Sequence, residues 1–176
     1  MKKKPIYLWI LLVLSALISA SSLFGILGPV PSKEVLRANL SNSGSLTAQQ
    51  IEDTVNYTYQ VTASSHSIFN VVLIVLSAIL VVVAFVFLVR KNVQFANYAY
   101  LGYLLLAIVG LVYSFMNIQD AIQLIKDDTL GLGIGTLAKG TVILFMIINV
   151  LFLALVLYKM WRQQKDLAEE TEAEEV

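Results

Sequence analysis

The chain has no cysteine, one histidine and three prolines, and only 14% of its 176 residues are charged. Without cysteine there are no disulfides, no thiolate chemistry and no cysteine lipidation. A single histidine cannot build the three- or four-ligand sets of zinc sites. The prolines, Pro5, Pro29 and Pro31, cluster near the start of the chain and leave every later apolar run unbroken. Basic stripes are also missing, which removes support for nucleic-acid binding.

What is present is apolar. The hydrophobic set makes up 58% of the chain, against about 45–50% in ordinary soluble domains. The excess gathers in four nearly charge-free runs: Ile6–Leu27, Ile68–Val89, Ala96–Phe115 and Leu137–Tyr158. As a helix the first run would reach ~33 Å, enough for a ~30 Å hydrocarbon core. None of the runs keeps the polar face that a soluble amphipathic helix needs. The expected fold is an all-α integral membrane protein, a four-helix transmembrane bundle with a partly helical extracytoplasmic loop.

In detail, spans are predicted at 6–28, 67–89, 96–117 and 137–158. A short segment 1–5 precedes them, loops 29–66, 90–95 and 118–136 join them, and an acidic tail 159–176 follows. Eight basic residues fall on one side: Lys2, Lys3, Lys4, Arg90, Lys91, Lys159, Arg162 and Lys165. Four fall on the other: Lys33, Arg37, Lys126 and Lys139. Basic excess in short loops marks the cytoplasmic side, so both termini are expected there, in a cell membrane of bacterial type. Tyr7, Trp9, Tyr98, Tyr100, Tyr158 and Trp161 fall near the same ends of the spans, at headgroup level. The opening "MKKKPIYLWILLVLSALISASS" also has the form of a secretory signal, but hydrophobicity resumes in "LFGIL", and a retained first span is expected.

In the larger outer loop Ser32 can cap a short helix that "SNSGS" (41–45) interrupts. Thr47 and Gln50 form a capping-box pattern, followed by Ile51, Val55 and Tyr59 at four-residue steps. This predicts an amphipathic helix that rests on the bundle as a lid. In the second outer loop Ile118, Ile122 and Ile125 extend the third span, and Asp127 and Asp128 end it. Gly131, Gly133 and Gly135 then read as a flexible link; "GLGIG" lacks the Gly-Lys-Ser/Thr ending of a phosphate loop. Asn39 and Asn56 sit in glycosylation acceptor patterns that any Ser/Thr-rich loop meets by chance.

The catalytic inventory is thin. His66, in "SSHS", has no orienting acid or nucleophile-elbow glycines in sequence. Ionisable residues at membrane depth, the usual mark of ion pathways, are missing apart from Lys139 near an outer end, which can snorkel or meet Asp127 or Asp128. The spans instead carry small residues four apart: Ser15 and Ser19, Ala16 and Ala20, Ser21 and Gly25, Gly110 and Ser114. Such spacing lets helices approach closely. Asn149, near the middle of the fourth span, is expected to make an interhelical hydrogen bond worth roughly 0.6–2 kcal/mol. The layout resembles that of tetraspanins and claudins, whose loop cysteines this chain lacks, and no residue role is carried over from them.

The sequence therefore predicts a non-enzymatic accessory or scaffold subunit of a larger membrane assembly, with no cofactor or metal. Its partners would be the lipid bilayer and another membrane protein or a second copy. The alternative is a small permease subunit energised by another polypeptide.

Overall fold

Five polar residues set where the later helices begin. In the structure, a computed structural model that describes residues 5–42 and 46–174 and side chains through Lys165, α1 spans Ile6–Leu27. Gly28 leaves it in extended conformation, ahead of Pro29 and Pro31. Ser32 then accepts from the Val35 N–H and opens α2, Lys33–Ser41. Thr47 opens α3, Ala48–Ser65, with a complete capping box: its hydroxyl accepts from Gln50 N at 3.3 Å and the Gln50 side chain accepts from Thr47 N at 3.1 Å. Ser67 starts α4, Ile68–Val89, and Asn92 starts α5, Val93–Ile122. Asp127 accepts from Leu130 N at 2.9 Å and starts α6, Asp128–Glu174. Each cap satisfies an N–H that the first helical turn leaves without a partner.

Among the described residues the fold is all-helical, without strands. Four helices, α1, α4, α5 and α6, are long and apolar enough to cross a bilayer. Their outward side chains, such as Leu17, Val82 and Leu151, are large and apolar around the whole girth. Such a continuous belt suits lipid rather than water. Packing follows chain order: α1 lies on α4, α4 on α5, and α5 on α6. The short helices pair with each other, and α3 rests on α5. That pair forms a lid over one end of the bundle, here the lid end. The opposite end, holding Ile6, the 90–92 turn and Tyr158, is the terminal end.

The main cluster of buried residues lies in the terminal half. Leu8, Leu11 and Leu12 of α1 meet Val81, Ala84 and Leu88 of α4, Tyr100 and Leu104 of α5, and Val156 of α6. Tyr100 is fully buried, bonds Ser15 at 3.0 Å and stacks on Tyr103 with ring centroids 5.6 Å apart. Below it Tyr7 donates to Asn97 Oδ1 (2.9 Å), and the Asn97 amide donates to Gln163 (3.2 Å), joining α1, α5 and α6. Packing and interhelical hydrogen bonds of this kind are what hold helices together where lipid replaces water.

Three expected boundaries change. The loop expected at 90–95 is only 90–92, because Asn92 caps α5 at once. Lys91 takes φ 60°, and the Asn92 N–H closes onto Phe87 O at 2.9 Å. This is a left-handed helix end of the kind glycine usually occupies. Within the segment expected at 118–136, α5 runs on to Ile122 as the isoleucine spacing predicts, but Asp127 and Asp128 open α6 instead of ending the third span, which leaves 123–127 as the link. The glycines expected as a flexible link are therefore helical. Gly131 and Gly135, four apart, face α5 and the turn after it. A Cβ at Gly135 would stand 3.1 Å from Ile122 Cδ1, and one at Gly131 3.6 Å from Ile125 Cγ2, while Gly133 faces open space. Their missing side chains make room for the Ile122 and Ile125 side chains. We expect Gly135→Leu to lower stability by about 1–3 kcal/mol through overpacking, and Gly133→Leu to leave it nearly unchanged, as read by unfolding in mixed micelles. Finally, the tail continues α6 as helix to Glu174.

Candidate functional site

The lid half of the bundle is not filled. Above Tyr103 the helices leave an open cavity of about 510 Å³, lined by α1, α4, α5 and α6 and by residues at the end of α3. Along α5 it extends from Tyr103 to Ser114, eleven residues or about 16 Å of helix. Its walls are mainly apolar, including Leu73, Ile74, Leu106, Leu111 and Phe145. Asp, Glu, Lys and Arg are absent from the lining, which instead carries hydroxyls, two amides and His66. Size and character match the usual small-molecule pocket, apolar with a few placed polar groups.

His66 shapes the rim. It follows α3, and its ring lies between two carbonyls: Nδ1 is 2.9 Å from Thr62 O and Nε2 2.9 Å from Gly28 O. The ring thus joins the end of the lid to the end of α1. A carbonyl only accepts, so a neutral ring donates to one of the two and an imidazolium to both. Next to it the Asn70 amide donates to Ser65 O at 2.7 Å. No group of three or more His, Asp and Glu close enough to hold a metal occurs among the described residues.

The lid is fixed by carboxylates rather than by apolar burial alone. Val55 is fully buried beneath α3. Beside it Asp53, 2% exposed, accepts from the Lys126 and Asp127 N–H groups at 2.9 and 3.0 Å and from the Gln49 amide at 2.7 Å. Burial pushes the Asp53 carboxyl upward, but the donated N–H groups of Asp127 and Lys126 and the Gln49 amide outweigh it and hold the group below the usual range. Asp127 is held low too, by the Leu130 N–H and the Gln50 amide. Gln50 also donates to Asp127 Oδ2 at 3.0 Å, so the capping-box residue reaches the next turn. Between α2 and α3, Arg37 grips Glu52 with two hydrogen bonds, one of 2.9 Å from Nη2. Lys33 bonds Asn56 at 2.8 Å and covers the Tyr59 ring.

The residues singled out for packing divide into three sets. Ser15 is buried against Tyr100, and Ala16 packs on the core. Ser19, Gly25, Gly110, Ser114 and Asn149 line the cavity together, and a Cβ added at Gly25 or Gly110 would meet nothing within 4 Å. There the small side chains leave space instead of bringing backbones together. Ala20 and Ser21 are exposed on the outer face of α1. Asn149 donates to Phe145 O of its own helix at 2.8 Å, not to a neighbour as expected, because no acceptor on another helix reaches it across the cavity. Lys139 makes no ion pair with Asp127 or Asp128 among the described residues; it borders a smaller cavity of about 310 Å³ with Gly131 and Gly135.

Of the topology residues, Lys2, Lys3 and Lys4 lie outside the described residues. Arg90 and Lys91 form the exposed turn after α4, Lys159 stands 5.7 Å over the Tyr7 ring, and Arg162 is exposed. The sequence reading passed over Asn97, Asn70 and Asp53. The signal available for the first two was the one used for Asn149, an amide in an apolar run. For Asp53 there was none, since its partners are backbone N–H groups 73 and 74 residues away.

Four long apolar helices, with a polar helix pair at one end and an uncharged cavity between them, make an all-helical fold that is compatible with a membrane protein. The chain belongs to the family described as "Domain of unknown function (DUF8777)", whose model matches residues 1–169. No curated protein and no solved structure matches it.

Proposed function

We propose that the chain is a non-enzymatic subunit of a larger membrane assembly that binds a membrane-soluble molecule in its lid-half cavity. Both termini would be cytoplasmic and the lid outside. The observation that carries this reading is the cavity: one half of the bundle is closed around Tyr100, the other stays open and lined without charge. Against catalysis, the His66 ring lies between two backbone carbonyls, the Ser65 hydroxyl 3.2 Å from its Nδ1 donates to Thr62 O, and no carboxylate lines the cavity to orient the ring. The alternative of a small permease subunit also needs the terminal half to part. There Tyr100 and Asn97 are fully buried and hydrogen-bonded across helices, which counts against this reading.

The orientation rests on the basic residues and follows the positive-inside rule. Reporters inserted after Val30 and after Lys91 should label only the first as external; labelling at Lys91 would reverse the assignment. For the assembly, the protein is purified through a C-terminal tag at native expression in mild detergent, and co-purifying proteins are quantified by mass spectrometry. A stoichiometric partner supports the subunit reading. A clean single species, monomer or homo-oligomer, sinks it and directs attention to flux in reconstituted vesicles.

A further inference from the structure

Hydroxyls within a helix usually return their proton to the carbonyl one turn back. Ser22 does so to Ile18 O at 3.0 Å and Thr141 to Leu137 O at 2.8 Å. Three serines of the cavity do not. Ser19 on α1, Ser77 on α4 and Ser114 on α5 have no hydrogen-bond partner among the described residues, yet all line the cavity. Ser19 is only 8% exposed. No polar side-chain atom among the described residues is sealed without a partner, so these three hydroxyls are open to the cavity, where an occupant that offers oxygen acceptors meets all of them, from three helices, at once.

Several occupants do not fit. A charged headgroup would lie against a lining with no Lys, Arg, Asp or Glu, and a buried unpaired charge is strongly disfavoured. A partner's transmembrane helix spends its backbone carbonyls on its own hydrogen bonds, leaving few acceptors for three serines. Water alone suits the serines but not the Leu, Ile and Phe walls, which make up most of the surface. An uncharged molecule with an apolar body and hydroxyl, ester or carbonyl oxygens satisfies both.

Access is available from the side. Beyond the core, α1 and α6 are not packed along each other, so the cavity edge between them faces the surrounding lipid. Resting on the binding role proposed above, we infer that the cavity takes up a neutral, oxygen-bearing amphiphile directly from the membrane, with Ser19, Ser77 and Ser114 donating to its oxygens.

Monoolein, neutral with hydroxyl and ester oxygens, and oleate, its anionic counterpart, serve as probes. Each is presented at pH 8 to the full chain in phosphatidylcholine nanodiscs and counted by native mass spectrometry. One monoolein per chain is expected, with oleate at least ten-fold weaker. Gly110→Leu, which projects into empty space, should cut monoolein binding at least ten-fold. Gly140→Leu, exposed on α6 away from the cavity, should not. Ser19→Ala removes a donor without filling the space and should weaken binding several-fold while melting like the wild type. Preferred binding of oleate, lost in Gly110→Leu, would overturn the neutral class but leave the cavity as a binding site. Absence of any adduct sensitive to Gly110→Leu would overturn both this inference and the binding role.

Discussion

Tyr100→Ala is expected to lower stability by about 3–5 kcal/mol, the usual loss when a buried aromatic is truncated and its site cannot collapse. Tyr100 is fully buried, and α1, α4, α5 and α6 all contribute to the cluster around it. Collapse is hindered because the half-bundle above is already open. Tyr100→Phe keeps the ring and removes only the hydroxyl that meets Ser15 at 3.0 Å. Interhelical hydrogen bonds in membranes average about 0.6 kcal/mol and reach about 1.7, so this variant should lose no more. Equilibrium unfolding by sodium dodecyl sulfate in mixed micelles measures both. A similar loss for the two variants would show that the hydrogen bond, not the packing, holds the helices together, and would undo this account of the core.

The second large effect concerns the lid. Asp53→Ala should release α3 from the 123–127 turn, because three donors then face no acceptor. Hydrogen exchange across α3 and at Lys126 and Asp127 is expected to rise by an order of magnitude or more, with the spans unaffected. Acid should reproduce the effect. Asp53 and Asp127 are both held below their ordinary range in the folded chain. Their contribution is therefore complete above the unfolded value of about 3.9 and is lost as pH falls through the lower folded values. Lid exchange should be flat from pH 8 to 5, after correction for the intrinsic rate, and accelerate below about 4. Asp53→Asn should exchange faster at neutral pH and lose most of the acid step. Retention of the full step in that variant would assign it to other groups.

How much of this could be read from the sequence follows the range of the interactions. The apolar runs and the helix starts are local, and the caps at Ser32 and Thr47, with the amphipathic stripe over Val55, stand where residue spacing placed them. The glycines at 131, 133 and 135 misled because local conformational freedom and close approach to a neighbour favour the same residue. Only the position of Ile122 across the gap separates the two. The serines and glycines of the cavity misled in a related way: small residues four apart describe a face, and what lies opposite that face decides between contact and space. Asn149 shows it most plainly, as its amide lacks an acceptor on a facing helix and turns back to Phe145.

Because α6 runs unbroken from Asp128 to Glu174, it can act as a lever. Asn149 at the cavity and the acidic residues beyond Lys165 lie on opposite sides of Val156, where the rod is clamped in the core. From Val156 the arm toward Asn149 is about 10 Å and the arm to Glu174 about 27 Å. A tilt that shifts Asn149 by ~1 Å swings the far tip by roughly 2.6 Å. A change in the space between the helices that tilts α6 would thus reach, enlarged, the far end of the helix about 40 Å away.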